Sequence, residues 1–194
     1  MFTFPRRRHH SSQPAPARTL TAPRPGTQVA TFAAGCFWGI EACFREIEGV
    51  TSTRVGYTGG TVPDASYQQV CRGRTGHAEA VEVTFEATQV SYERLFETFW
   101  RIHNPTTRNR QGWDFGSQYR SAIFVHDAVQ MSEALASRDR EQESVAKPIV
   151  TQIEPAGPFY EAEEYHQQYF EKQGRGACAV TIEVPAPHAS SSPR

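Results

Sequence analysis

One cysteine sits where a thiol can react. Cys36 lies between two glycines and beside two large aromatics, in Gly35-Cys36-Phe37-Trp38-Gly39. The segment before it, Gln28 to Ala34, reads as a short strand; after it, Ile40, Phe44 and Ile47 recur on one face of a 3.6-residue period. Cys36 therefore falls at a strand-to-helix junction, where unpaired N–H groups and the helix dipole favour an anion. A thiolate is such an anion, so a lowered thiol pKa and nucleophilic chemistry are expected. A small buried thiol in a tight turn is the plainer reading. Glu79 is the second candidate. It has the strand parity of Val81, Val83 and Phe85, which alternate with Glu82, Thr84 and Glu86. If those three face the core, Glu79 faces it too, where desolvation raises its pKa and suits it to general-acid work. The alternative is a loop carboxylate turned to water. His77 shares that parity but reads as a solvated loop histidine. Cys178, in the Gly-rich stretch Gly174-Arg175-Gly176-Ala177-Cys178, suits a resolving thiol that travels to an oxidised partner, or is an unused tail thiol. Cys43 and Cys71 read as packing residues.

The elements that must position these groups are legible in outline. Strands are expected at Gln28 to Ala34, Thr51 to Tyr57, Glu79 to Glu86 and Tyr119 to Val125. Helices are expected after Cys36, from Ser91 to about His103, and from Asp127 to about Ala146, with a helical turn at Tyr67 to Arg72. Pro148 to Ile153 reads as a peripheral strand and Glu161 to Lys172 as a last helix. The long segment between Asn104 and Gln118 reads as a functional loop, dense in polar and aromatic groups, among them Arg108, Arg110, Trp113 and Asp114. The order strand–helix–strand–strand–helix–strand predicts a ferredoxin-like α+β domain, a two-layer sandwich with a mixed sheet and an irregular C-terminal segment.

Composition narrows the function classes. The chain has 194 residues, a formal net charge of −1 and four cysteines without a CxxC pair. That balance gives no electrostatic case for nucleic acid or an anionic membrane, and no apolar run approaches the ~18–20 residues of a membrane span. No metal-ligand spacing stands out; Glu163 and His166 at i, i+3 read as a helix-face contact. Residues 1–27, rich in Pro, Arg and Ser and without Asp or Glu, read as a disordered basic tail or an organelle transit peptide. The expected domain is 28–184, followed by a flexible tail at 185–194. Scattered thiols point to a reducing compartment, so a cytoplasmic location is expected, or an organelle if the N-terminus is a transit peptide. Nothing demands an oligomer, and a monomer is expected.

Five blocks in one order resemble a known family. Gly35-Cys36-Phe37-Trp38-Gly39, Gly56-Tyr57-Thr58-Gly59-Gly60, Thr75-Gly76-His77-Ala78-Glu79, Gln118-Tyr119-Arg120-Ser121 and Tyr165-His166-Gln167-Gln168-Tyr169 are similar to those of the A-type peptide methionine sulfoxide reductases. The resemblance implies reduction of methionine-S-sulfoxide, free or in proteins, as a repair of oxidative damage. It implies Cys36 as nucleophile, Phe37 and Trp38 as the wall against the substrate methyl group, and Glu79 as the acid. Tyr67 and Tyr119 would hydrogen-bond the sulfoxide oxygen, and Asp114 would belong to the same site. Cys178 would recycle Cys36 through a disulfide that thioredoxin reduces, with no bound cofactor or metal. Asn104, Trp113 and Ser117 depart from the family's usual Asp, Asn and Thr, which bears on substrate range. Cysteine acyl transfer with Cys36 and His77 is a rival enzyme reading, and a ferredoxin-like interaction domain is a non-enzymatic one.

Overall fold

The computed structural model describes residues 26–175. The chain runs β1 (Thr27–Ala34), α1 (Phe37–Arg45), β2 (Val50–Thr58), α2 (Tyr67–Cys71), β3 (Ala78–Glu86) and α3 (Tyr92–Arg101). It continues through β4 (Arg110–Gln111), β5 (Asp114–Phe115), β6 (Ser121–Val125), α4 (Ala128–Ser144), β7 (Gln152–Pro155), β8 (Tyr160–Glu161) and α5 (Tyr169–Lys172). The main sheet has the order β7-β6-β1-β3-β2-β8. Its central four strands are antiparallel neighbours, and β7 joins β6 in parallel, so the sheet is mixed as expected.

Alternation along β3 sorts the two faces. Val81, Val83 and Phe85 join the main core beneath the helices, while Ala78 and Ala80 join Ala33, Ala122 and Phe124 on the other face. Small alanines there let Ala156 and Phe159 pack close. The main core is aromatic: Phe32 stacks on Phe44 at 4.9 Å and meets Phe99 at 5.3 Å. Each such ring contributes about 1.5–3 kcal/mol by leaving water. Ser91 caps α3 by accepting from the Arg94 N–H, and Asp127 caps α4 by accepting from the Gln130 N–H.

Three local expectations need correction. The last helix does not form as one piece: Glu161 ends β8, Glu164–His166 is a single 3-10 turn, and α5 starts only at Tyr169. Gln168 breaks it with φ +47°, ψ +43°. Its conformation is held from outside, because Glu41 accepts from both the Gln168 N–H (2.7 Å) and its side-chain amide (3.1 Å). The peripheral strand begins at Gln152 rather than Pro148. The functional loop contains a two-stranded hairpin, β4 against β5, which alternation over so few residues cannot reveal. Thr27, placed at the end of the expected N-terminal tail, opens β1; residues 1–25, the expected tail at 185–194, and Cys178 lie outside the described residues.

Candidate active site

Cys36 occupies the N-cap of α1, as the sequence places it. Strand β3, next to β1 in the sheet, brings Glu79 to the same end. Glu79 is 1% exposed, and its Oε2 accepts from the Phe37 N–H at 3.2 Å. The parity reading of Glu79 therefore holds: it faces the helices and not water.

The expected low thiol pKa does not hold. The N–H groups of Trp38 and Gly39 do pull the Cys36 pKa down, as a helix N-terminus should. Burial outweighs them, and the charges of Glu79 and Asp114 add to it, pushing the thiol from 9.0 up to about 12. At rest Cys36 is a thiol. Burial also raises Glu79, from 4.5 to about 7, opposed by the Phe37 N–H and assisted by the Asp114 charge. Near neutral pH the acid is thus divided between its two forms.

The two tyrosines join this group. Burial lifts the Tyr119 hydroxyl well above its ordinary range, and Glu79, Cys71, Asp114 and Cys36 all act on it. Burial likewise lifts Tyr67, followed by a hydrogen bond to Cys71 and the Glu79 charge. Cys71 is exposed and not a packing residue, because α2 is a surface turn; Cys43 is buried as expected. Asp114 lies on the β4–β5 hairpin, opposite Gln111. Gln111 packs on Gly35, whose φ of +102° and lack of a Cβ allow the approach; an added Cβ would lie 2.9 Å from that of Gln111.

The aromatic pair divides. Phe37 is 1% exposed and belongs to the core, whereas Trp38 is half-buried. Trp38 stacks on Tyr169 at 3.9 Å, and its indole N–H donates to His166 Nδ1 at 3.0 Å. The proton of the neutral His166 ring is thereby assigned to Nε2, 3.9 Å from Glu163 Oε2. Sequence reasoning read Glu163 and His166 as a helix-face contact and missed their place here. Glu163 accepts from the Tyr57 hydroxyl and the Tyr67 N–H, both at 3.1 Å, and so ties β8's trailing segment to β2 and α2. The cluster of Glu, His and Gln at 163–168 was the available signal. Among the described residues no group of three or more His, Cys, Asp and Glu could hold a metal ion.

His77 is not a loop histidine in water. It is 1% exposed, its Nδ1 accepts from the Gly60 N–H at 3.1 Å, and its Nε2 donates to the Val62 carbonyl at 2.7 Å. Both nitrogens are committed, so the acyl-transfer reading loses its base.

Residues 28–192 match the family model described as peptide methionine sulfoxide reductase. The chain belongs to the peptide methionine sulfoxide reductase family. Peptide methionine sulfoxide reductase MsrA of Methanoculleus marisnigri is 57% identical over 159 residues, 81% of this chain and 97% of that one. The structure of methionine sulfoxide reductase A of Corynebacterium diphtheriae gives a TM-score of 0.75 at 37% identity, covering 88% of this chain and 85% of its own. A third, Mxr1 from Saccharomyces cerevisiae in complex with Trx2, gives a TM-score of 0.57 at 27% identity, covering 78% and 91%. This peptide methionine sulfoxide reductase is thus an oxidoreductase with the α+β fold of its structural relatives.

Proposed function

We propose that this reductase acts on the S epimer of methionine sulfoxide through a sulfenic acid at Cys36, with Glu79 as the proton donor. The observation that carries this reading is the Phe37 N–H to Glu79 bond, which holds a half-protonated acid beside the thiol. A sulfoxide oxygen leaves sulfur only when protonated, so the acid is the requirement and Glu79 supplies it.

The step balances within the pair. Glu79 gives its proton to the sulfoxide oxygen as the Cys36 sulfur attacks the substrate sulfur. The thiol's own proton passes to the Glu79 carboxylate. The S–S bond formed in that attack then breaks as the protonated oxygen passes from the substrate sulfur to the Cys36 sulfur, so Cys36 ends as S–OH, oxidised by two electrons, and the reduced substrate leaves as methionine. Tyr67 and Tyr119 hydrogen-bond the oxygen, Trp38 with the edge of Phe37 walls the methyl group, and Asp114 orients the substrate. Cys178 then attacks the sulfenic acid, releasing water and forming a disulfide. A thioredoxin-type dithiol reduces that disulfide, a partnership supported by the solved complex of Mxr1 with Trx2. The chemistry is carried by thiols and calls for no prosthetic group.

Replacing Cys178 with Ser tests the recycling route. The first turnover should survive, and multiple turnover with thioredoxin should cease. Full multiple turnover would remove Cys178 from the cycle.

A further inference from the structure

Two large aromatics stand in water on the hairpin that carries Asp114. Trp113 is 92% exposed and Phe115 60% exposed. Single exposed apolar residues are ordinary, but these two bracket a site residue at the tip of one ribbon. Leaving such rings in water forgoes the gain of burying them. Phe115 is covered in part by the Arg110 guanidinium, 4.6 Å from its centroid.

The hairpin is fixed at the pair that closes its turn. Gln111 is buried, accepts from the Asn104 N–H at 3.0 Å and donates to the Asn104 carbonyl at 2.9 Å. It also lies against Gly35, the residue before Cys36. Asp114, paired opposite Gln111, acts electrostatically on Cys36, Glu79 and Tyr119. The bare tip therefore stands at the rim of the reacting groups on an anchored support.

We propose that Trp113, with Phe115, docks apolar side chains neighbouring the oxidised methionine in an extended polypeptide. This rests on the reading of the site given above. A free amino acid sulfoxide brings no neighbouring side chains to that rim. A polypeptide must leave the site past its rim, and the hairpin forms part of that rim. Methionine is largely a core residue, so a damaged and unfolded chain presents apolar neighbours beside it. An indole meets such neighbours with a large, stiff surface at little entropic cost and carries an N–H for a passing carbonyl. Trp113 stands where the family resemblance expects Asn, so the surface is a property of this chain.

The test compares full-length wild type, Trp113→Asn and Trp113→Phe with dithiothreitol and, in parallel, thioredoxin as reductant. Substrates are free methionine sulfoxide and two pentapeptides, with Leu or Ser flanking the sulfoxide. The ratio of kcat/KM for the Leu-flanked peptide over the free amino acid should fall about ten-fold in Trp113→Asn, mainly through KM. Trp113→Phe should keep most of it, and the Ser-flanked peptide should discriminate little. An unchanged ratio overturns the proposal. So does a defect confined to assays with thioredoxin, which would assign the surface to the reductant, or a wild-type dimer that Trp113→Asn dissociates. No methionine from any substrate with wild type would overturn the reading of the site, and the docking role with it.

Discussion

The Phe37 N–H donates to Glu79 Oε2 at 3.2 Å, so Glu79 is hydrogen-bonded to the residue that follows Cys36. One hydrogen bond joins the start of α1 to β3, across 42 positions of sequence. It fixes Glu79 beside Cys36 and opposes the rise of the Glu79 pKa. The bond favours the carboxylate, burial favours the acid, and burial prevails.

Glu79→Gln should keep the Phe37 bond through its amide oxygen while removing the proton donor. The rate of the first turnover should fall about 10²–10⁴-fold, the usual worth of a general acid. In wild type that rate should decline as pH rises through about 7, where Glu79 loses its proton. Rapid-quench measurement of methionine from pH 5.5 to 9 checks both; a Glu79→Gln profile with the same decline near 7 would assign the proton elsewhere.

The Glu79 charge is the second cause of the high Cys36 pKa, after burial. Glu79→Gln should therefore lower the Cys36 pKa from about 12. Alkylation with iodoacetamide across pH, followed by peptide mass, reads this directly. An unchanged or higher midpoint in the variant contradicts the coupling.

Glu79 also makes stability depend on pH. Its folded pKa of about 7 lies above its ordinary 4.5, so the folded chain holds a proton that the unfolded chain gives up. The contribution is fully present below 4.5 and is lost as pH rises to about 7. The difference is about 3 kcal/mol by linkage. Urea unfolding of wild type should weaken over that window relative to Glu79→Gln. Parallel curves for the two proteins would show that the carboxylate is not desolvated.

Glu41→Ala should loosen the C-terminal segment. Glu41 is 1% exposed and accepts from Thr53 at 2.8 Å and from two groups of Gln168. Its loss leaves those donors without their acceptor, at a cost of about 1–3 kcal/mol. The urea midpoint should drop, and amide exchange at Gln168 should quicken. A variant as stable as wild type, with Gln168 still protected, would show that the clamp is idle.

What the sequence disclosed was what is local. Alternation along β3 and the 3.6-residue recurrence in α1 were sufficient to place Glu79 and Cys36, because strand parity and helix faces depend on near neighbours. The thiol pKa was misread because its causes are distant. A helix N-terminus is visible from Gly35 to Gly39, but the depth of burial and a carboxylate 42 positions on from Phe37 are not. The last helix failed for the same reason. Its residues suit a helix, yet Gln167 turns its side chain to the Val55 N–H and carbonyl, both at 2.9 Å, and Glu41 holds Gln168 left-handed. The apparent helix-face pair Glu163 and His166 thereby becomes the support of Tyr67 and Trp38.

The most direct measurement is a single turnover of Cys178→Ser with methionine-S-sulfoxide and no reductant, followed by trapping with dimedone. One methionine should form per protein, with the adduct on Cys36 and not on Cys43 or Cys71. Methionine produced while Cys36 stays a thiol, or an adduct on another cysteine, would contradict the account.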